Sequence, residues 1–95
     1  MERLSKKTQR PTERTMKDLN DLYFFAAVVD HGGFSAAGRA LGIQKSLLSR
    51  RILGLEERLG IRLLNRSSRR FSVTEVGREF YDRCIAMIVE AEAAE

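Results

Sequence analysis

Five residues near the middle of the chain, Gln44, Lys45, Ser46, Ser49 and Arg50, offer an amide, an ammonium, two hydroxyls and a guanidinium. Side chains of these types on one α-helix can donate hydrogen bonds to base edges in a DNA major groove, which admits a single helix. Arg50 could pair with guanine in a bidentate fork, and Lys45 could approach the same acceptors as a point charge. Further along, Arg66, Arg69 and Arg70 interleave with Ser67 and Ser68. Guanidinium and hydroxyl groups on such a turn can reach the phosphates that flank a groove. No Asp or Glu occurs from Ala36 through Leu55, whereas an ordinary solvated helix face mixes both signs.

The rest of the inventory narrows the chemistry. One cysteine, Cys84, and one histidine, His31, exclude an internal disulfide and leave metal sites or histidine catalysis almost no material. Cys84 reads as a small buried apolar residue, and His31 as a favourable group at a helix C-terminus. No nucleophile–base pair, carboxylate dyad or phosphate loop is present, so the chain is not read as an enzyme and no cofactor is expected in this domain.

Charge is unevenly spread over the 95 residues. Residues 1–16 carry +3, 17–38 carry −2, 39–70 carry +7 and 71–95 carry −4, for a net +4. A basic block between two acidic ones has the distribution of a polyanion-binding face. No apolar run is long enough to span a membrane, and a cytoplasmic, nucleoid-associated location is expected.

These residues need helices at defined spacing. Residues 1–16 are polar and basic, hold the only proline, Pro11, and read as a disordered arm. That arm is an upstream start, a cloning remnant or a DNA-touching extension. A first helix is expected from Leu19 to Val29 with Asp18 as N-cap and Gly32-Gly33 as its stop. Tyr23, Phe24 and Val28 make it apolar on several faces, so that part of it should bury against something besides its own core. Ser35 is expected to cap a short second helix, Ala36 to Leu41. Gly42-Ile43-Gln44 then forms the turn into a third helix ending near Leu59. In that helix Leu48, Ile52, Leu55 and Leu59 fall within an arc of about 60° at 100° per residue. Gly38 supplies the small residue where the two helices meet, Gly42 the positive φ and Ile43 the apolar plug: a helix-turn-helix unit.

Ile61 to Leu64 and Phe71 to Val73 read as two strands around the basic turn, a wing. Thr74 caps a last helix that runs to the end of the chain, with Glu75 favourable at its N-terminus. On it, Gly77, Phe80, Cys84, Met87 and Ala91 recur as a heptad seam, widened by Tyr81, Ile85 and Ile88. The expected fold is therefore mainly α: a winged helix-turn-helix over residues 17–74, of three helices and a two-stranded wing, then a long dimerisation helix over 75–95.

Taken in order, the motifs resemble the N-terminal DNA-binding domain and linker helix of LysR-type bacterial transcriptional regulators. The match runs through Asp18-Leu19-Asn20, Phe25, Gly33-Phe34-Ser35, Ala36-Ala37, Leu41 and Leu48-Ser49-Arg50-Arg51-Ile52. It continues through Leu55-Glu56-Glu57-Arg58-Leu59-Gly60, Leu63-Leu64-Asn65-Arg66, Val73-Thr74-Glu75 and Gly77, about two thirds of the chain. The chain departs from the family in opening its third helix with Gln44-Lys45-Ser46, in Leu47 where a small residue is usual, and in Gly38 where alanine is usual. The last should cost about 1 kcal/mol of helix stability.

The resemblance implies double-stranded promoter DNA as partner and a homodimer. It further implies an effector-sensing domain outside this sequence, through which tetramers would form. Gln44, Lys45, Ser46, Ser49 and Arg50 are assigned to base reading. Ser35, Arg39, Arg51, Arg66, Arg69, Arg70 and Thr74 are assigned to phosphates, and Tyr23, Phe24, Phe80, Tyr81, Cys84, Met87 and Ile88 to the dimer interface. The rival reading is a winged-helix protein-interaction module without DNA binding. It would place acidic or apolar residues on the outer face of the third helix, where Lys45, Ser46, Ser49 and Arg50 stand in its first two turns instead.

Overall fold

Four helices form among the described residues of the computed structural model, which are 11–67 and 69–95, with only the backbone described for 11–18. They are α1 Pro11–His31, α2 Phe34–Leu41, α3 Lys45–Leu59 and α4 Glu75–Ala93. Proline suits the first position of α1, where its missing N–H leaves no bond unmade, and no glycine or second proline interrupts the run from Thr12 to Asp18. The backbone of 11–16 is therefore helical where a disordered arm is expected, and Asp18 lies inside the helix rather than capping it. The remainder of that arm, residues 1–10, lies outside the described residues.

α2 starts two residues early. Gly33 is its N-cap, no side chain caps it, and Ser35 sits in its first turn. Between α2 and α3 the expected turn forms. Gly42 takes φ 71° and donates its N–H to the carbonyl of Gly38, and the Ile43 N–H reaches the same oxygen at 3.0 Å. A left-handed residue at this place would strain any side chain. Gly38 is held by space rather than by propensity. A methyl group there would stand 2.6 Å from the Ile43 carbonyl oxygen, so an alanine would have to push the turn away from α2.

Burial explains the positions of the helices. Phe25, Ala26, Ile52, Leu55, Leu63, Leu64 and Cys84 form one core cluster, and Val28, Ala37 and Leu48 a second. Phe24, Phe34 and Phe71 pack against both. Each fully buried Phe, Leu, Ile or Val among them contributes about 1.5–3 kcal/mol when taken out of water. α1 packs against α2, α3 and α4, so its several apolar faces are largely consumed within the chain itself. The stripe of α3 is buried at Leu48, Ile52 and Leu55 but not at Leu59, which is 41% exposed because the last turn outruns the core.

The two-stranded wing does not form: no strand is present among the described residues. The hairpin closes through a single antiparallel bridge, Leu64 to Val73, flanked by Asn65 N–H to the Ser72 carbonyl at 3.1 Å and Thr74 N–H to the Leu63 carbonyl at 3.0 Å. The ladder cannot continue past Leu63, because its N–H donates instead to the Glu56 carboxylate at 2.7 Å. Its would-be partner, the Thr74 carbonyl, accepts from Arg78 in the first turn of α4. That helix is capped as its sequence dictates. The Thr74 hydroxyl accepts from Gly77 N–H at 2.9 Å, and Glu75 opens the first turn.

Candidate nucleic-acid interface

The first turns of α3 and the hairpin tip meet across an open cleft of about 530 Å³. Lys45, Ser46 and Ser49 line one wall, Arg66, Arg69 and Arg70 the other, and Ser35 and Phe34 of α2 the end. A second cleft adjoins it, sharing Ser35 and Lys45 and adding Arg39 and Gln44. No Asp or Glu lines either cleft, and the first turn of α3 contains none. The positive end of that helix is therefore left uncompensated beside the cations, an arrangement that favours anionic groups. Arg50 is exposed on the same helix but lines neither cleft.

Arg51, Arg66 and Thr74, all assigned to phosphates, are engaged within the chain. Arg51 bonds Asp21 at 3.0 Å and stacks 5.4 Å from the centre of the Phe24 ring. Arg66 bonds Glu56 at 2.9 Å. The Thr74 hydroxyl donates to the Arg62 carbonyl at 2.7 Å as well as capping α4.

Two buried acids, Asp21 and Glu56, each 4% exposed, organise this framework, and the sequence motifs gave neither a role. Asp21 of α1 holds two arginines of α3, Arg51 through one oxygen and Arg58, at 2.7 Å, through the other. Removing both arginines would leave the buried Asp21 charge uncompensated, which is far costlier than losing an exposed pair. Burial by itself raises the Glu56 carboxyl. The bonds from Arg66, Leu64 and Leu63 outweigh that and hold it below its ordinary value. One signal for Glu56 is present in the sequence: at 100° per residue it falls at the edge of the buried stripe of α3, a place where an acid needs partners.

The residues assigned to an interface between copies divide likewise. Cys84 is 1% exposed inside the chain's own core, where burial pushes its thiol up to about 11. Phe80 packs on Phe25 with ring centres 5.7 Å apart, and Phe24 is half-buried. Tyr81 donates its hydroxyl proton to Asp30, and this bond, ahead of burial, raises its ionisation above the ordinary value. Tyr23 (48% exposed) and Met87 (38%) remain outside. Together with Leu19, Leu22 and Ile88 they line an apolar groove between α1 and α4.

Residues 19–78 match the family described as bacterial regulatory helix-turn-helix protein, lysR family. The chain belongs to the LysR family. Within it, a transcriptional regulator of Xanthomonas campestris pv. campestris is 45% identical over 78 residues, covering 82% of this chain and 23% of that protein. The regulator PtxR of Pseudomonas aeruginosa is 44% identical over 77 residues, covering 81% and 25%. This LysR-family chain thus spans about a quarter of the length of the curated relatives it matches. Among solved structures, the BenM_DBD/catB site 1 DNA complex is 39% identical, with TM-score 0.77 over 80% of this chain and 82% of that one. CrgA of Neisseria meningitidis, a LysR-type transcriptional regulator, is 40% identical with TM-score 0.66 over 79% and 26%. No helix among the described residues of the LysR-family chain is long and apolar enough to cross a membrane.

Proposed function

We propose that this chain is the DNA-binding part of a bacterial LysR-type transcriptional regulator that binds an inverted-repeat promoter site as a dimer, in the cytoplasm. The observation that carries the reading is the acid-free cleft, which sets the donors of α3 beside the arginines of the hairpin tip. The structural neighbour solved with DNA supports it. α3 enters the major groove, where Gln44, Lys45, Ser46, Ser49 and Arg50 read bases. Arg39, Arg69 and Arg70 answer to phosphates.

Competition binding separates the two roles. Arg50→Ala should lose about 1–3 kcal/mol on a duplex selected from a randomised pool, and little on scrambled DNA. Arg69→Ala should weaken both alike. Equal losses from Arg50→Ala on both duplexes would count against base reading by α3.

The apolar groove between α1 and α4 is the surface on which two copies join. Two-fold symmetry then asks for half-sites about one DNA turn apart, roughly 10 bp. Met87 is the place to test this, because it lies outside the chain's own core. Met87→Asp should leave the monomer folded but place a charge in the joined surface, lowering dimer affinity by several kcal/mol. Sedimentation reads the dissociation, and operators lengthened by a few base pairs read the loss of spacing dependence. A wild-type chain that sediments as a monomer and ignores spacing would remove the dimer from this reading.

A further inference from the structure

The hairpin tip must be held at a fixed angle to α3 if both are to meet one duplex, and its single bridge is too little pairing to hold it. The missing restraint is supplied from α3 itself. One Glu56 oxygen accepts the backbone N–H groups of Leu63 at 2.7 Å and Leu64 at 3.0 Å. The other accepts Nη2 of Arg66 at 2.9 Å. The Arg66 guanidinium in turn lies 6.0 Å from the centre of the Phe34 ring, at the first residue of α2. One buried carboxylate therefore ties the hairpin's first limb to both helices of the helix-turn-helix unit.

We propose that Glu56 and Arg66 form a positioning pair that sets the hairpin tip against α3, with Arg66 a strut rather than a phosphate ligand. The proposal rests on the DNA-binding reading above. An arginine paired with a carboxylate brings little net charge to a phosphate, and its planar guanidinium lets it meet the Glu56 oxygen and the Phe34 ring at once. Glu56 is held ionised below its ordinary value, so the pair is intact at neutral pH.

The sign of one substitution discriminates. Glu56→Gln removes a negative charge near DNA, and electrostatics alone would then strengthen binding to every sequence. A lost positioning contact does the opposite, and only where the duplex must be met in register.

The test uses the full chain with two probes: a duplex that it enriches from a randomised pool, and a scrambled duplex of equal length. Thermal melts choose a temperature at which all variants are folded. Glu56→Gln should weaken binding to the enriched duplex on the order of tenfold while scrambled DNA binds as before or tighter. Arg66→Lys should show part of that loss, since a compact ammonium cannot meet the Glu56 oxygen and lie against the Phe34 ring as the planar guanidinium does. Amide hydrogen exchange in Glu56→Gln, read without DNA, should quicken at Leu63 and Leu64 while Ile52 and Leu55 stay protected.

Equal or tighter binding of both duplexes by Glu56→Gln, or unchanged exchange, would overturn the proposal. So would an Arg66→Ala loss that is uniform across sequences, lowers the salt slope by about one and is restored by Lys, since that is the behaviour of a phosphate ligand. A wild-type chain that enriches no duplex overturns the DNA-binding reading itself and the proposal with it. Enrichment by wild type with a neutral Glu56→Gln overturns the proposal alone.

Discussion

Replacing Gly77 by alanine should destabilise the chain by about 2–3 kcal/mol, although alanine is the better helix former. The added methyl would stand 2.2 Å from the Leu63 carbonyl oxygen and 2.7 Å from Cγ1 of Val73. Neither neighbour can give way cheaply. The Leu63 carbonyl accepts from Thr74 N–H at 3.0 Å, while the N–H of the same residue is held by Glu56. Gly77 N–H is itself the donor to the capping Thr74 hydroxyl. The clash must therefore move either the hairpin limb or α4. Moving α4 forfeits the cap, worth about 1 kcal/mol, and loosens Phe80 and Cys84 against α1. The gain in helix propensity, about 1 kcal/mol, is smaller than these losses together. In a chain of this size the melting midpoint should fall on the order of 10–20 °C. An alanine variant that melts with wild type would mean that α4 does not approach the Leu63 carbonyl so closely.

Affinity for DNA should fall roughly 10³–10⁵-fold between 50 and 200 mM salt if a dimer neutralises about 6–10 phosphates. Arg39, Lys45, Arg50 and Arg69 are exposed on the clefts or beside them, and a dimer carries two such sets. Arg51 and Arg66 contribute less, because Asp21 and Glu56 already balance them. A double-logarithmic titration with a fluorescent duplex reads the slope, which follows the number of neutralised phosphates at about 0.9 each. A slope near zero would sink the reading of this face as a DNA-binding surface.

What the sequence determined by itself is what neighbouring residues decide among themselves. The turn at Gly42, the stop at Gly60, the Thr74 cap and the buried stripe of Leu48, Ile52 and Leu55 all form where their spacing puts them. Each depends on backbone geometry within one or two helical turns, and so can be read along the chain. The clustering of Lys45, Ser46 and Ser49 on one wall of a cleft follows from the same periodicity.

The tertiary structure decided which surfaces meet. Helical spacing shows that Phe80, Cys84 and Met87 share a stripe, but not that α1 covers the first two and leaves Met87 outside. Two apolar segments with strand-like composition predict a ladder, yet the Glu56 carboxylate takes the Leu63 N–H that would continue it. Arg51 and Arg58 are basic residues like any others until Asp21, 30 and 37 positions earlier, is folded against them. A buried charge must find a partner wherever packing brings one, and distance along the chain does not limit that choice, because closing a longer loop costs only about 0.6 kcal/mol per doubling of its length.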